Sequence, residues 1–157
     1  MKAPANDVWA VVADQFTSND KWMAQVFETE GSKAKAGDLD ARVCQLTPTL
    51  DGLNTYEEVI EYDKENYRFV FTVIVRGGGK FPVKRNVATV TLEDMGTETL
   101  VRWETKPELK PVGYLIIPLL KAGIQKSFRE VLEELKYYVE EGKPHPRKVE
   151  AMKKLKK

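Results

Sequence analysis

The sequence has little of what several protein classes require. It holds one cysteine, Cys44, and one histidine, His145, among 157 residues. A single cysteine excludes an intramolecular disulfide, and one cysteine with one histidine supplies too few ligands for a zinc site of those residues. We therefore expect a reducing, cytoplasmic location, and we predict no metal and no other cofactor.

Long apolar runs and a large net charge are also missing. The most apolar stretch, residues 112–120, is too short to cross a bilayer, and the first residues show no apolar core typical of a secretory signal. The net charge is only +1, from 25 basic and 24 acidic side chains. This balance argues against specific nucleic-acid binding, and an aromatic content of 10% argues against disorder. The length suits one soluble domain.

The charge is distributed unevenly along the chain. Residues 143–157 carry seven lysines or arginines against Glu150, a charge of +6, which leaves −5 on residues 1–142. Gly142 and Pro144 end the preceding helical pattern. We therefore divide the chain into a folded domain, residues 1–142, and a basic C-terminal tail, residues 143–157.

This basic tail has two interpretations. Val149, Met152 and Leu155 recur at three-residue spacing, so the tail can dock on the domain as a partly helical terminus. Alternatively, its lysines make a weak contact with an anionic surface.

Hydrophobic periodicity predicts two short helices, a series of strands and one long helix. After helical segments near residues 5–14 and 19–24, the period changes to two, and turn residues separate about six strands. The predicted strands cover residues 26–30, 40–46, 55–63, 67–76, 83–93 and 99–106. From about Pro118 to Glu141, apolar residues recur at three- and four-residue spacing, which predicts an amphipathic helix. The sequence thus predicts an α+β fold, with an antiparallel sheet covered by the C-terminal helix.

The residues at the joints between these elements follow a distinctive order and spacing. They are Ala3-Pro4, Val8-Trp9, Asp14, Phe16, Trp22, Gly37, Arg42, Gly52, the run from Glu57 to Asp63, Pro82, Gly96-Thr97, Trp103, Leu132, Leu135 and Lys136. In this order the chain resembles the START-like, or Bet v 1-like, superfamily over nearly its whole length. Within that superfamily it is similar to the bacterial SRPBCC proteins described as polyketide cyclase/dehydrase.

The resemblance implies a helix-grip fold, in which a curved sheet wraps around the C-terminal helix. It also implies an apolar cavity between them for a small hydrophobic ligand such as a lipid, a polyketide or a quinone. Members normally carry a full strand before the Ala3-Pro4 pair, whereas only Met1 and Lys2 precede it here, so we expect that strand to be short or missing. An unpaired edge promotes association between chains. Either a homodimer or a start site assigned too far downstream would explain the difference.

Alternation along the strands predicts which side chains line the cavity. The register of residues 55–63 is ambiguous by composition, and there the resemblance favours Glu57 and Val59 facing inward. For residues 83–93 the resemblance favours Val87 and Thr89 inward, with Ala88, Val90 and Leu92 outside, whereas composition favours the opposite register. The full predicted lining is Glu57, Val59, Phe69, Phe71, Val73, Val87, Thr89, Val101, Trp103, Leu120, Gly123, Ile124 and Phe128. Gly77, Gly78 and Gly79 form a predicted gate loop over the entrance. Gly123 either makes room for a ligand or is a tolerated defect in the helix.

Glu57 is the one acidic candidate for chemistry inside the cavity. It would orient a ligand hydroxyl or act as a general acid or base, or else it lies at a wet cavity mouth or on the outer face. Cyclase or dehydratase catalysis usually needs two positioned groups, and the sequence indicates no second one. The leading hypothesis is therefore a non-catalytic binding or transport protein for a small hydrophobic ligand. The alternatives are a cyclase or dehydratase that uses Glu57, and a protein-interaction module like the chaperone-activating members of the superfamily.

Overall fold

The computed structural model describes residues 1–33, 40–46, 53–77, 82–111 and 113–154. Helix α1 (Ala5–Trp9) continues into a π-helical turn (Ala10–Asp14), and a 3-10 helix (Phe16–Lys21) follows. Six strands come next: β1 (Val26–Lys33), β2 (Asp40–Leu46), β3 (Asn54–Asp63), β4 (Arg68–Arg76), β5 (Val83–Asp94) and β6 (Thr99–Leu109). Helices α2 (Gly113–Glu141) and α3 (Pro146–Lys154) complete the described chain.

The six strands form one antiparallel sheet in the order β1-β2-β3-β4-β5-β6. The predicted α+β, helix-grip architecture with two short N-terminal helical segments is confirmed. The predicted end of α2 is confirmed too, because the helix stops at Glu141 and Gly142 adopts φ +67, the left-handed conformation of a C-terminal cap. Its start lies at Gly113, five residues before the predicted one, so Pro118 lies inside the helix.

A short stub stands where the superfamily has its first strand. The α-ammonium of Met1 donates to the Thr99 carbonyl at 2.7 Å, and the Thr99 amide donates to the Met1 carbonyl at 2.8 Å. The Thr99 hydroxyl also donates to the Ala3 carbonyl at 2.7 Å. Residues 1–3 therefore pair with the first residue of β6, and within the described residues no strand continues this pairing along β6.

The hydrophobic core lies between the concave face of the sheet, the N-terminal helices and the second half of α2. Trp9 is fully buried, and its ring makes edge-to-face contacts with Tyr62, Tyr67 and Phe69 at centroid distances of 5.3, 5.6 and 6.3 Å. Among the α2 side chains that the structure describes, Val131 and Leu135 are the buried apolar ones. These two residues anchor the C-terminal half of the helix to the core.

A β-bulge in β3 changes which side chains face this core. Val59 pairs with Phe71 and Tyr62 pairs with Phe69, so Ile60 is extra on β3. The extra residue reverses the alternation, since simple alternation from Val59 would direct Glu61 rather than Tyr62 inward. Tyr62 consequently lies on the same side of the sheet as Trp9 at the edge of the core, where it is 41% exposed and its hydroxyl accepts a hydrogen bond from Trp9 Nε1 at 3.1 Å.

Helix α3 docks on the domain through a buried carboxylate of α2. Glu134 is 2% exposed, and its two oxygens accept from the Ala24 amide at 2.8 Å and from Arg147 Nε at 3.0 Å. Arg147 also donates to Glu133 at 2.8 Å and to the Glu130 carbonyl at 3.3 Å. Burial raises the pKa of Glu134 above its usual value, against the opposing effect of these hydrogen bonds.

A second basic residue of α3 is buried rather than solvated. Lys148 is 4% exposed, and its ammonium donates to the Val26 carbonyl at 2.5 Å. By contrast, Val149, one of the residues expected to dock, is 41% exposed. Among the described residues of the tail, Arg147 and Lys148 make the hydrogen bonds to the domain, while Met152 is half-buried and Leu155 lies outside the described residues. A weak contact of the basic tail with an anionic surface stays a prediction. The boundary at Gly142 as a domain limit stays a prediction.

Lys148 predicts a dependence of stability on alkaline pH. Burial lowers the pKa of its ammonium, so between that lowered pKa and the ordinary lysine value the unfolded chain binds more protons than the folded one. Stability contributed by this group therefore rises with pH across that window. We expect the free energy of unfolding of Lys148→Met to gain less than the wild type between pH 7 and pH 10, measured by urea denaturation. The exposed Lys153→Met is the control, and the two variants responding alike would contradict the assignment.

Candidate functional site

A cavity of about 200 Å³ lies between the concave face of the sheet and α2. Its walls come from the chain after the 3-10 helix, from all six strands and from the middle of α2. The lining residues are Met23, Gln25, Val26, Arg42, Leu46, Thr55, Glu57, Phe71, Val73, Asn86, Ala88, Trp103, Thr105, Ser127, Phe128 and Val131. Most of them are apolar. The polar ones lie on β2 and β3 (Arg42, Thr55, Glu57), on β5 and β6 (Asn86, Thr105) and near the helix (Gln25, Ser127). A hydrogen bond from Gln25 Nε2 to Ser127 Oγ, at 2.6 Å, joins the start of β1 to α2 beside the cavity.

Five of the predicted lining residues lie in this wall: Glu57, Phe71, Val73, Trp103 and Phe128. Val59 and Phe69 face inward as predicted, but they line a second cavity of about 330 Å³ beside Asp14 and Tyr62. Val101 packs against the core without lining either cavity. The predicted set is thus divided between two cavities, and the Phe16 ring contacts both Phe69 and Phe71 at centroid distances of 5.3 Å.

The predicted register of β5 is wrong. Ala88, Val90 and Leu92 lie in the buried core, so Val87 and Thr89 point to the opposite face of the sheet. Composition already favoured this register, because the apolar alternation belongs on the face that is covered by helices. Asn86, in phase with Ala88, therefore faces the cavity.

The predicted contribution of the first half of α2 is also corrected. Ile124 is 40% exposed and Gly123 is exposed, so neither lines the cavity. The side chain of Leu120 lies outside the described part of the chain, as do Gly78 and Gly79 of the predicted gate loop. Gly77 adopts φ +82 at the end of β4.

Gly123 offers a test with a matched control. A Cβ added at this position meets no atom within 4 Å, which favours the interpretation of a tolerated helix defect. We expect Gly123→Ala to raise the free energy of unfolding by about 1 kcal/mol, the helix-propensity difference. Gly142→Ala should lower it, because φ +67 disfavours an alanine. Thermal and urea denaturation measure both effects, and destabilisation by Gly123→Ala would show that the glycine has a structural role there.

Glu57 lies inside the fold, where it forms a buried ion pair with Arg42. One carboxylate oxygen accepts from Arg42 Nε at 2.8 Å and Nη2 at 2.5 Å, and the other accepts from the Thr55 hydroxyl at 2.9 Å. The side chains are 5% and 10% exposed for Arg42 and Glu57. Both oxygens of Glu57 are thus occupied, and the residue lies neither on the outer face nor at a wet mouth.

Arg42 is held by more than Glu57. It donates through Nη1 to the Phe16 carbonyl, and its guanidinium lies 3.8 Å above the centre of the Phe16 ring and 5.8 Å from that of Phe71. A planar, weakly hydrated guanidinium suits this stacked and hydrogen-bonded position better than an ammonium would. Arg42 connects the 3-10 helix to the sheet at one end of the cavity.

Sequence reasoning did not assign Arg42 to the site. One pattern in the sequence could have indicated it. Arg42 alternates with Cys44 and Leu46 along β2, so an arginine shares the inward face of that strand with apolar or small residues. The pairing that places it opposite Glu57 depends on the register between β2 and β3, which alternation alone does not give. The second polar group near Glu57, which the sequence did not indicate, is this guanidinium.

Cys44 lies on β2, two residues after Arg42 and on the same face of the strand. It is fully buried, and burial raises the pKa of its thiol above the usual range, with a smaller raising effect from Glu57. A thiol with a raised pKa is a poor nucleophile at neutral pH. Its sulfur contacts the Asn19 amide at 3.5 Å, so it acts as a packed core residue.

Two further searches cover only the part of the chain that the structure describes. No group of three or more histidine, cysteine, aspartate or glutamate side chains there could hold a metal ion. No helix there is long and apolar enough to cross a bilayer.

Comparison with known proteins gives one family and one fold. Residues 1–140 match the family model described as "Polyketide cyclase / dehydrase and lipid transport". No curated protein matches the chain. Among solved structures, truncated norcoclaurine synthase from Thalictrum flavum is similar at 19% identity and a TM-score of 0.66, covering 89% of this chain and 88% of that one.

Two other structures show the same fold. A protein from Thermus thermophilus is 22% identical with a TM-score of 0.63, over 96% of this chain and 93% of that one. Ara h 8.0201 is 15% identical with a TM-score of 0.59, over 88% and 90%. Identities this low establish the helix-grip architecture of Bet v 1-like proteins and no shared activity.

Proposed function

The chain belongs to the polyketide cyclase/dehydrase and lipid transport family, and on this basis we propose that it binds a small hydrophobic ligand, without catalysis, in the cavity between the sheet and α2. The observation that carries the proposal is the cavity itself, with Phe71, Val73, Trp103 and Phe128 in its wall. Apolar pockets with a few polar groups are the usual form of small-molecule sites. The proposed location is the cytoplasm.

The cavity volume supports a compact ligand. Drug-sized molecules occupy pockets of about 300 to 1,000 Å³, whereas a dry apolar cavity of about 150 Å³ accepts benzene. The 200 Å³ available here lies between these cases. A one- or two-ring compound therefore fits this volume.

The state of Glu57 supports binding rather than catalysis. A general acid or base must exchange a proton with the reacting molecule at hydrogen-bond distance. Both oxygens of Glu57 already accept hydrogen bonds from Arg42 and Thr55, so the carboxylate has its partners within the protein. Its role in the proposal is to hold the end of the cavity together.

Two measurements test the proposal. Mass spectrometry of an organic extract of the purified protein should find a bound compound, and calorimetric titration with naphthalene should give saturable binding. Ala88→Leu should abolish the binding by filling the cavity, whereas Ala122→Leu, on the exposed part of α2, should not. If Ala88→Leu does not fold, Val73→Phe replaces it. Binding that survives the filling substitution, or no binding at all, would overturn the proposal.

The alternative of a cyclase or dehydratase gains one specific observation, the placement of Arg42 beside Glu57 inside the cavity wall. An arginine can stabilise negative charge that develops on a substrate oxygen. This alternative requires Glu57→Gln to abolish turnover of a polyketide-type substrate while the protein keeps its fold by circular dichroism. Turnover that persists in the variant would remove Glu57 as the acid or base.

A further inference from the structure

Two buried polar atoms of cavity-lining residues lack a hydrogen-bond partner among the described residues. They are the indole Nε1 of Trp103, on β6, and the amide Oδ1 of Asn86, on β5. Both atoms are shielded from water. Buried polar groups are satisfied in the great majority of cases, so each exception needs an explanation.

The two atoms have complementary chemistry. The indole nitrogen is a donor only, and the amide oxygen is an acceptor. Elsewhere the protein satisfies buried polar groups of these types, since Trp9 Nε1 donates to Tyr62 and the Asn19 oxygen accepts from Thr29. The unpaired groups therefore belong to the tryptophan and the asparagine that line the cavity.

The side chains around the two atoms leave both of them without a partner. Trp103 pairs with Val90 across the sheet and packs edge-to-face on Phe71 at 6.0 Å. Asn86 lies between Val73 on β4 and Pro107 on β6, and none of these four neighbours carries a side-chain hydrogen-bonding group. Thr105 shares the cavity wall and has a hydroxyl, but neither atom is bonded to it. A ligand in the cavity can supply the missing partners.

We propose that the cavity takes a hydroxylated one- or two-ring compound, in which one hydroxyl accepts a hydrogen bond from Trp103 Nε1 and a second polar group donates one to Asn86 Oδ1. The proposal rests on the proposed binding function and adds the ligand class. Two groups are needed because Trp103 and Asn86 lie four positions apart along the β5–β6 pairing. A hydroxyl group both donates and accepts, so hydroxyls meet the needs of the two atoms, while the rings occupy the apolar remainder of the 200 Å³. A pure hydrocarbon would fill the volume and leave both atoms unpaired.

A matched pair of probes tests the proposal on the full chain. Calorimetric titration should show 2-naphthol binding about three- to tenfold more tightly than naphthalene, the range that one net hydrogen bond contributes. Trp103→Phe should remove this preference, because it keeps an aromatic ring and deletes the donor. Trp22→Phe makes the same change at a buried tryptophan outside the cavity wall and should preserve the preference. If Trp103→Phe does not fold, Asn86→Leu takes its place and should remove a further preference for 2,6-dihydroxynaphthalene over 2-naphthol, since it deletes the acceptor for the second hydroxyl.

The outcomes separate the two proposals. Equal binding of both probes, or a preference that survives in Trp103→Phe, overturns the ligand class and leaves the binding function standing. If neither probe binds, the proposed function fails as well. A preference lost in Trp103→Phe and kept in Trp22→Phe supports both.

Discussion

Replacing Arg42 by leucine should lower the free energy of unfolding by about 3 to 5 kcal/mol, the cost of breaking a buried ion pair. The substitution leaves the Glu57 carboxylate with the Thr55 hydroxyl as its remaining partner, in a place where the carboxylate is 10% exposed. It also removes the guanidinium that lies against the Phe16 ring. Urea denaturation at pH 7 measures the loss.

The double variant Arg42→Leu/Glu57→Leu is the control. Replacing both members of a buried pair with apolar groups is often neutral, so the double variant should be more stable than Arg42→Leu alone. If the double variant loses at least as much as the sum of the two single variants, the pair interacts too weakly to hold this end of the cavity, and our account of Glu57 is wrong.

Replacing Arg147 by alanine should cost about 2 to 3 kcal/mol. The buried Glu134 would keep only its bond from the Ala24 amide. We place the effect below that of a fully buried pair because the Arg147 side chain is 32% exposed. Lys154→Ala, which removes an exposed pair with Glu150, should change stability by no more than about 0.5 kcal/mol.

This comparison also tests the division of the chain at Gly142. An independent tail would make Arg147→Ala as harmless as Lys154→Ala. Because Lys148 holds the carbonyl of Val26, and Val26 lines the cavity, we instead expect removal of the tail to weaken ligand binding as well as stability. Naphthalene titration of the chain truncated after Gly142 measures the second effect, and unchanged affinity would contradict it.

The sequence predicted the elements of the fold because their signals are local. The alternation of Phe69, Phe71 and Val73 marks one face of a strand without knowledge of its neighbours. Three features of the site depend on information that is not local: the register that places Arg42 opposite Glu57, the bulge at Ile60 that turns Tyr62 inward, and the docking of α3. For β5, the apolar alternation of Ala88 and Val90 was the better guide, and the resemblance gave the wrong face.

The charge of the basic tail also depends on information that is not local. A sum over residues 143–157 treats every lysine and arginine as solvated, whereas Arg147 and Lys148 are turned towards the domain. Charge patterning predicts the charge of a surface only when it is known which side chains the folded protein exposes there.

The positions of the three tryptophans allow ligand binding in the cavity to be followed by intrinsic fluorescence. Trp9 and Trp22 are 0% and 3% exposed in the core, so their surroundings are constant, while Trp103 alone borders the cavity. Indole fluorescence responds to hydrogen bonding and to nearby polar groups. A change in the emission spectrum on filling the cavity therefore originates at Trp103, and occupancy can be followed in the unlabelled protein at concentrations well below those of calorimetry.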